Sequence, residues 1–138
     1  MSDAIKLMYA KPPGLVLGFH GCNKETYEDV IYKGGTLKNS TNSYDWLGNG
    51  IYFWENGYER AVEWSINRFG DEGRVIGAVM ILGYCLDLTD YGNAEIFRLG
   101  FELLKQQCEQ TGTALPENKQ GRSKTDILLR DLDCAVIQ

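Results

Sequence analysis

Leu15-Val16-Leu17-Gly18-Phe19-His20 is a short apolar run entered from Pro12-Pro13-Gly14. A turn sequence followed by β-compatible residues predicts a strand, with His20 at its end. Asn23 can then cap a helix in which Tyr27, Val30 and Ile31 share one face, and Gly34-Gly35 supplies its stop. The chain therefore opens as strand, then helix.

Residues 36–50 are rich in Asn, Ser and Gly and predict a loop, pinned by Tyr44 and Trp46, with Asp45 as a turn former. Ile51-Tyr52-Phe53-Trp54 predicts a second strand, with Trp54 as a further wedge. Tyr58–Phe69 predicts a helix that turns Ala61, Val62, Ser65 and Phe69 inward and is ended by Gly70-Asp71-Glu72-Gly73. The unbroken apolar run Val75–Leu82 reads as a central strand buried on both faces, continued by Leu86-Asp87-Leu88 after a bend at Gly83. Ala94–Cys108 predicts a helix with a broad apolar face including Phe97, Phe101 and Leu104. Residues 109–124 are polar, with a basic run Lys119–Lys124 expected as a solvated loop. Residues 127–132 fit either helix or strand, and Cys134-Ala135-Val136-Ile137 resembles a last strand. Asp87 and Asp133 are expected to serve turns at strand margins. Together these elements predict one mixed α and β domain over residues 1–138.

The totals agree with that size. A chain of 138 residues with 43% hydrophobic residues can bury one core. The net charge of -5 offers no global field for phosphates, which disfavours tight nonspecific nucleic-acid binding. The N-terminus lacks the order of a secretory signal, and no apolar run has the length of a membrane span, so no membrane contact and a cytoplasmic location are expected. Four cysteines, Cys22, Cys85, Cys108 and Cys134, are widely spaced, and His20 is the one histidine; neither a metal cluster nor a disulfide scaffold is expected.

Three features suit a flat, charged, amide-bearing ligand: Phe19-His20-Gly21, the polar loop with Ser40 and Asn42, and Gly48-Asn49-Gly50-Ile51-Tyr52-Phe53. A histidine can hydrogen-bond a ribose hydroxyl. The neighbouring Gly21 leaves its N–H and C=O approachable by a carboxamide, and Tyr52 offers a ring face for stacking. Nicotinamide riboside carries all three matching groups. The expected cleft lies between the His20 strand exit and the Tyr52 strand, with both side chains facing it.

His20-Gly21 and Gly48-Asn49-Gly50-Ile51-Tyr52-Phe53, in this order and separation, resemble the His-Tyr-Glu branch of the ADP-ribosyltransferase superfamily, which contains the poly(ADP-ribose) polymerases. A bacterial group of that fold is similar over more of the chain. The likeness runs through Arg60-Ala61, Leu82-Gly83-Tyr84-Cys85-Leu86-Asp87-Leu88 and Leu132-Asp133-Cys134-Ala135-Val136-Ile137, roughly residues 16–138. The resemblance implies an α+β fold: an ADP-ribosyltransferase-like split antiparallel sheet with flanking helices, holding NAD as co-substrate without a Rossmann fold. It implies that His20 binds the adenosine-side ribose, Gly21 the nicotinamide amide, and Tyr52 the nicotinamide ring. Ser40, Asn42 and Gly50 would line the same cofactor site.

The chemistry implied is cleavage of the nicotinamide glycosidic bond through an oxocarbenium-like state and capture by a nucleophile, a glycosyltransferase reaction. The family's third polar residue, a Glu on a later strand, has no match; the chain is expected to stop short of the family's last strands. Glu59, Asp126, Asp131 and Gln138 fit that role less well than Glu55, which follows the Tyr52 strand. The function implied is mono-ADP-ribosyl transfer to a macromolecular acceptor, as in a bacterial or phage toxin or defence effector. The alternative is a catalytically deficient NAD-binding or protein-interaction module. A partner chain or a second copy that completes the sheet, giving a homo-oligomer, is a further expectation, because an unfinished sheet exposes an edge.

Overall fold

A computed structural model describes residues 14–42, 45, 47–83, 85–120 and 129–138. The protein is a mixture of α and β structure with a small three-stranded antiparallel sheet. Tyr44, Trp46, Asp126 and most of the basic run lie outside the described residues, as do the first two of residues 127–132. The chain forms two compact units. One holds described residues within 11–38 and 51–85, the other those within 39–50 and 86–138.

The first unit begins with β1 (Leu15–Asn23) and α1 (Lys24–Lys33). Asn23 caps α1 as expected, its Oδ1 accepting from Thr26 N–H at 2.8 Å. Gly34 ends the helix at φ 73°, a left-handed conformation that costs a glycine little. After β2 (Trp54–Glu55) and α2 (Tyr58–Phe69), a 3-10 turn at Gly70–Glu72 leads into β3 (Gly73–Ile81). The strand order is β2-β1-β3. β1 pairs with β3 along its whole length, from Leu15 opposite Ile81 to Asn23 opposite Gly73. Its ladder with β2 consists of Gly18–Glu55 and Phe19–Trp54.

Helix α2 covers one end of one sheet face. A Cβ on Gly21 would lie 2.8 Å from Trp64 and 2.9 Å from the Ala61 carbonyl, and one on Gly73 would lie 2.7 Å from the Ser65 carbonyl. Only glycines let the helix come this close. Ala61 and Ser65 are buried there, while Cys22 and Ile76 are buried within the sheet. Val62 and Phe69, expected inward, are half-buried. An aromatic chain runs beside them, with ring centroids 5.8 Å apart for Trp54–Trp64 and again for Trp64–Phe69.

Two expectations for this unit are corrected. The run from Val75 forms β3, but β3 is an edge strand and β1 takes the centre; Val79 and Ile81 stand exposed. An unbroken apolar run does not say how many faces are covered, and α2 reaches only the Gly73 end. The strand expected from Ile51 has its ladder with β1 confined to Trp54 and Glu55, and the Tyr52 carbonyl accepts from the His20 side chain.

In the second unit the loop around 39–50 is closed by an antiparallel bridge between Ser40 and Gly50. Asp87 serves a turn as expected, its Oδ1 accepting from Thr89 N–H at 2.9 Å and from the Thr89 hydroxyl at 2.6 Å, but Leu86-Asp87-Leu88 does not continue the strand. A 3-10 turn at Tyr91–Asn93 then feeds α3 (Ala94–Thr111), which ends at Gly112. The expected last strand is a helix, α4 (Asp131–Ile137). Its N-terminus is capped from a distance: Asn118 Oδ1 accepts from Leu132 N–H at 3.1 Å and Asp133 N–H at 3.3 Å. This cap satisfies two N–H groups at the start of the helix, and the β-compatible residues 134–137 are helical. Helix α4 lies against α3, where a Cβ on Gly100 would be 3.4 Å from Val136. No helix among the described residues is long and apolar enough to cross a membrane.

Candidate functional site

His20 stands on β1 one residue beyond the pair Phe19–Trp54. Its Nδ1 lies 2.8 Å from the carbonyl oxygen of Tyr52. A carbonyl can only accept, so Nδ1 carries a proton and Nε2 is the acceptor of the neutral ring. Phe53 flanks the imidazole, with centroids 5.5 Å apart. The sequence expectation that His20 and Tyr52 are neighbours therefore holds, but the link runs through the Tyr52 main chain. Extending the β1–β2 register places Phe53 across from His20 and Tyr52 level with Gly21.

A cavity of about 390 Å³ opens beside His20, within the first unit. Its walls are the end of β1 (His20, Gly21, Cys22, Asn23), the inner side of α1 with the segment after it, and Trp64 with Phe69 from α2. This volume lies in the range of small-molecule sites, roughly 300–1,000 Å³. Lys33 and Lys38 bring positive charge to the wall, and Glu25 and Asp29 bring negative charge. Tyr52 is not among the lining residues. The cavity thus sits toward α1 and not between the His20 and Tyr52 strands.

Gly21 is buried, and its lack of a side chain is already required by Trp64 and Ala61 above it. Burial also pushes the Cys22 thiol above its ordinary pKa, while the Arg74 guanidinium pulls the other way with the smaller effect. Cys22 is consequently a protonated thiol at neutral pH. Glu55 is exposed on β2 opposite Gly18 and does not line the cavity.

Ser40, Asn42 and Gly50 belong to the second unit, where they form one local group. Ser40 N–H donates to the Gly50 carbonyl at 2.6 Å, and Asn42 Nδ2 donates to Ser40 Oγ at 2.6 Å. Asp45 is tied to this group, its Oδ2 accepting from Asn42 N–H at 2.7 Å while its own N–H donates to the Asn42 carbonyl at 3.0 Å. Asp45 is buried, and its carbonyl accepts from the Cys134 thiol of α4.

Lys33, Lys38 and Trp64 were not expected at the site. The signal for the lysines is local: Lys33 closes α1, Gly34-Gly35 reverses the chain, and Lys38 returns alongside. Trp64 carries no short-range signal, because its partner Trp54 belongs to a different element. Comparison with protein-family models, with curated proteins and with solved structures finds no match to the chain.

Proposed function

We propose that this chain binds NAD and transfers its ADP-ribosyl group to a macromolecular acceptor, as a mono-ADP-ribosyltransferase of the split-sheet, His-Tyr-Glu type. The observation that carries the reading is the bond from His20 to the Tyr52 carbonyl. It orients the imidazole with Nε2 as acceptor, the polarity needed to take a ribose O–H. The adjoining cavity adds lysines for a pyrophosphate and an indole for a base, in a volume suited to part of a dinucleotide.

In this reading His20 and Gly21 hold NAD, while Tyr52 stacks on nicotinamide. The bond between the ribose C1 and the nicotinamide nitrogen breaks, and nicotinamide leaves with the electron pair. The acceptor nucleophile then bonds to C1 and gives up its proton. Glu55 is the residue assigned to stabilising the positive charge at C1.

A second reading, binding without transfer, is favoured by the position of Glu55, exposed and away from the cavity wall. One experiment separates the two. NAD is titrated into the pure chain by calorimetry, and the chain is then incubated with labelled NAD and mixed protein and nucleic-acid acceptors. Heat with label transfer supports the enzyme, and heat without transfer supports the binding module. Absence of heat removes both.

A further inference from the structure

Strand β3 has β1 on one side, and among the described residues no strand pairs with its other edge. This free edge is nine residues long, Gly73–Ile81, centred on Gly77. Unpaired edges of this length invite another strand. On the sheet face that α2 covers at the Gly73 end, the opposite end is bare: Leu15 is 72% exposed, Val79 68% and Ile81 74%, with Leu17 beside them. These four are cross-strand neighbours, Leu15 with Ile81 and Leu17 with Val79.

At the covered end, α2 carries an exposed apolar residue of its own, Ile66. Ser65 faces the sheet and Trp64 leans toward Trp54 of β2. Successive helical residues turn by about 100°, so Ile66 projects from the other flank, over the β3 edge.

We propose that β3 is a self-pairing edge, and that a second copy of this chain docks on it antiparallel about a two-fold axis through Gly77. Full overlap of the nine residues sets Val75 against Val79 and Gly73 against Ile81 of the second copy. Side chains directly opposite share a face, so the α2 helices of both copies lie on one side of the joined sheet. The Gly73 end of each copy, with its Ile66, meets the bare Val79–Ile81 end of the other. The arrangement is self-complementary: an exposed apolar group at one end of the strand answers an exposed patch at the other. Arg74 falls opposite Met80 and Glu72 opposite Leu82, so no like charges face each other.

The test is the molar mass of the 138-residue chain by sedimentation across a dilution series. A concentration-dependent dimer is expected. Ile66→Lys and Ile81→Glu, each at an exposed position, should leave the far-UV circular dichroism of the folded chain unchanged yet raise the dimer dissociation constant by about tenfold or more. Val79→Lys serves as a second patch variant. The double variant Ile66→Lys/Ile81→Glu places opposite charges across both contacts and should recover most of the lost affinity. Within one copy Ile66 of α2 stands over the Gly73 end of β3 and Ile81 at its other end, roughly 26 Å along the strand, so recovery can only arise between copies. A native chain that stays monomeric overturns the proposal. So do single variants that dimerise normally, and a double variant no better than the singles.

Discussion

The His20 imidazole donates from Nδ1 to the Tyr52 carbonyl at 2.8 Å, tying a ring on β1 to a main-chain group 32 residues later. The two residues singled out by the sequence are thus joined through the Tyr52 main chain. His20→Ala removes the donor and leaves a partly buried carbonyl without it. We expect a loss of roughly 1–3 kcal/mol in urea unfolding. NAD affinity should fall several-fold at least, since Nε2 is lost as well. Unchanged affinity in calorimetric titration would remove His20 from the site.

Tyr52 separates main chain from ring. Its carbonyl is retained by any substitution, so Tyr52→Phe and Tyr52→Ala both keep the His20 bond. If the ring stacks on nicotinamide, Tyr52→Phe should bind NAD nearly as the native chain does, and Tyr52→Ala should lose roughly 0.5–1.5 kcal/mol beyond area burial. Equal losses would argue against stacking.

Much of the first unit was legible because its signals are local. Asn23 and Gly34-Gly35 bracket α1, and the spacing of Ala61, Ser65 and Phe69 gives α2 its buried side. The order β2-β1-β3 was not legible, since residues 75–82 are equally apolar whether the strand lies at the centre or the edge. Helix α4 was misread for a different reason: its cap comes from Asn118, outside any window that treats Cys134-Ala135-Val136-Ile137 by itself. At the site, the pairing of His20 with Tyr52 followed from their strands. The cavity wall of Lys33, Lys38 and Trp64 did not, because it depends on how α1 and α2 meet the end of β1.

Gly21 tests packing apart from ligand binding. A methyl group there would meet Trp64 at 2.8 Å and the Ala61 carbonyl at 2.9 Å, and backbone cannot swing aside as a flexible side chain can. Gly21→Ala should cost about 1–3 kcal/mol by pushing α2 off the sheet. Gly50→Ala meets nothing within 4 Å and provides the contrast, with little change in unfolding. Similar costs for both would mean that α2 does not sit closely on β1.

Cys22 ties the pH dependence of stability to the same wall. It is 4% exposed, and burial raises its pKa above the ordinary 9.0 against the smaller pull of Arg74, its partner across the β1–β3 ladder. Above pH 9 the unfolded chain has released this proton while the folded chain retains it. The folded state therefore binds more protons, and the slope of unfolding free energy with pH is negative. The contribution is fully present below about pH 9 and is lost as pH rises toward the folded value. Cys22→Ala lowers stability at every pH through lost packing, but the gap to the native chain should narrow at alkaline pH. Arg74→Met removes the opposing cation, raises the thiol further and should deepen the alkaline loss. Urea unfolding of the three proteins between pH 7 and pH 10.5 checks both signs. A gap that widens with pH for Cys22→Ala would show that the folded protein stabilises a thiolate at Cys22, with Arg74 outweighing burial.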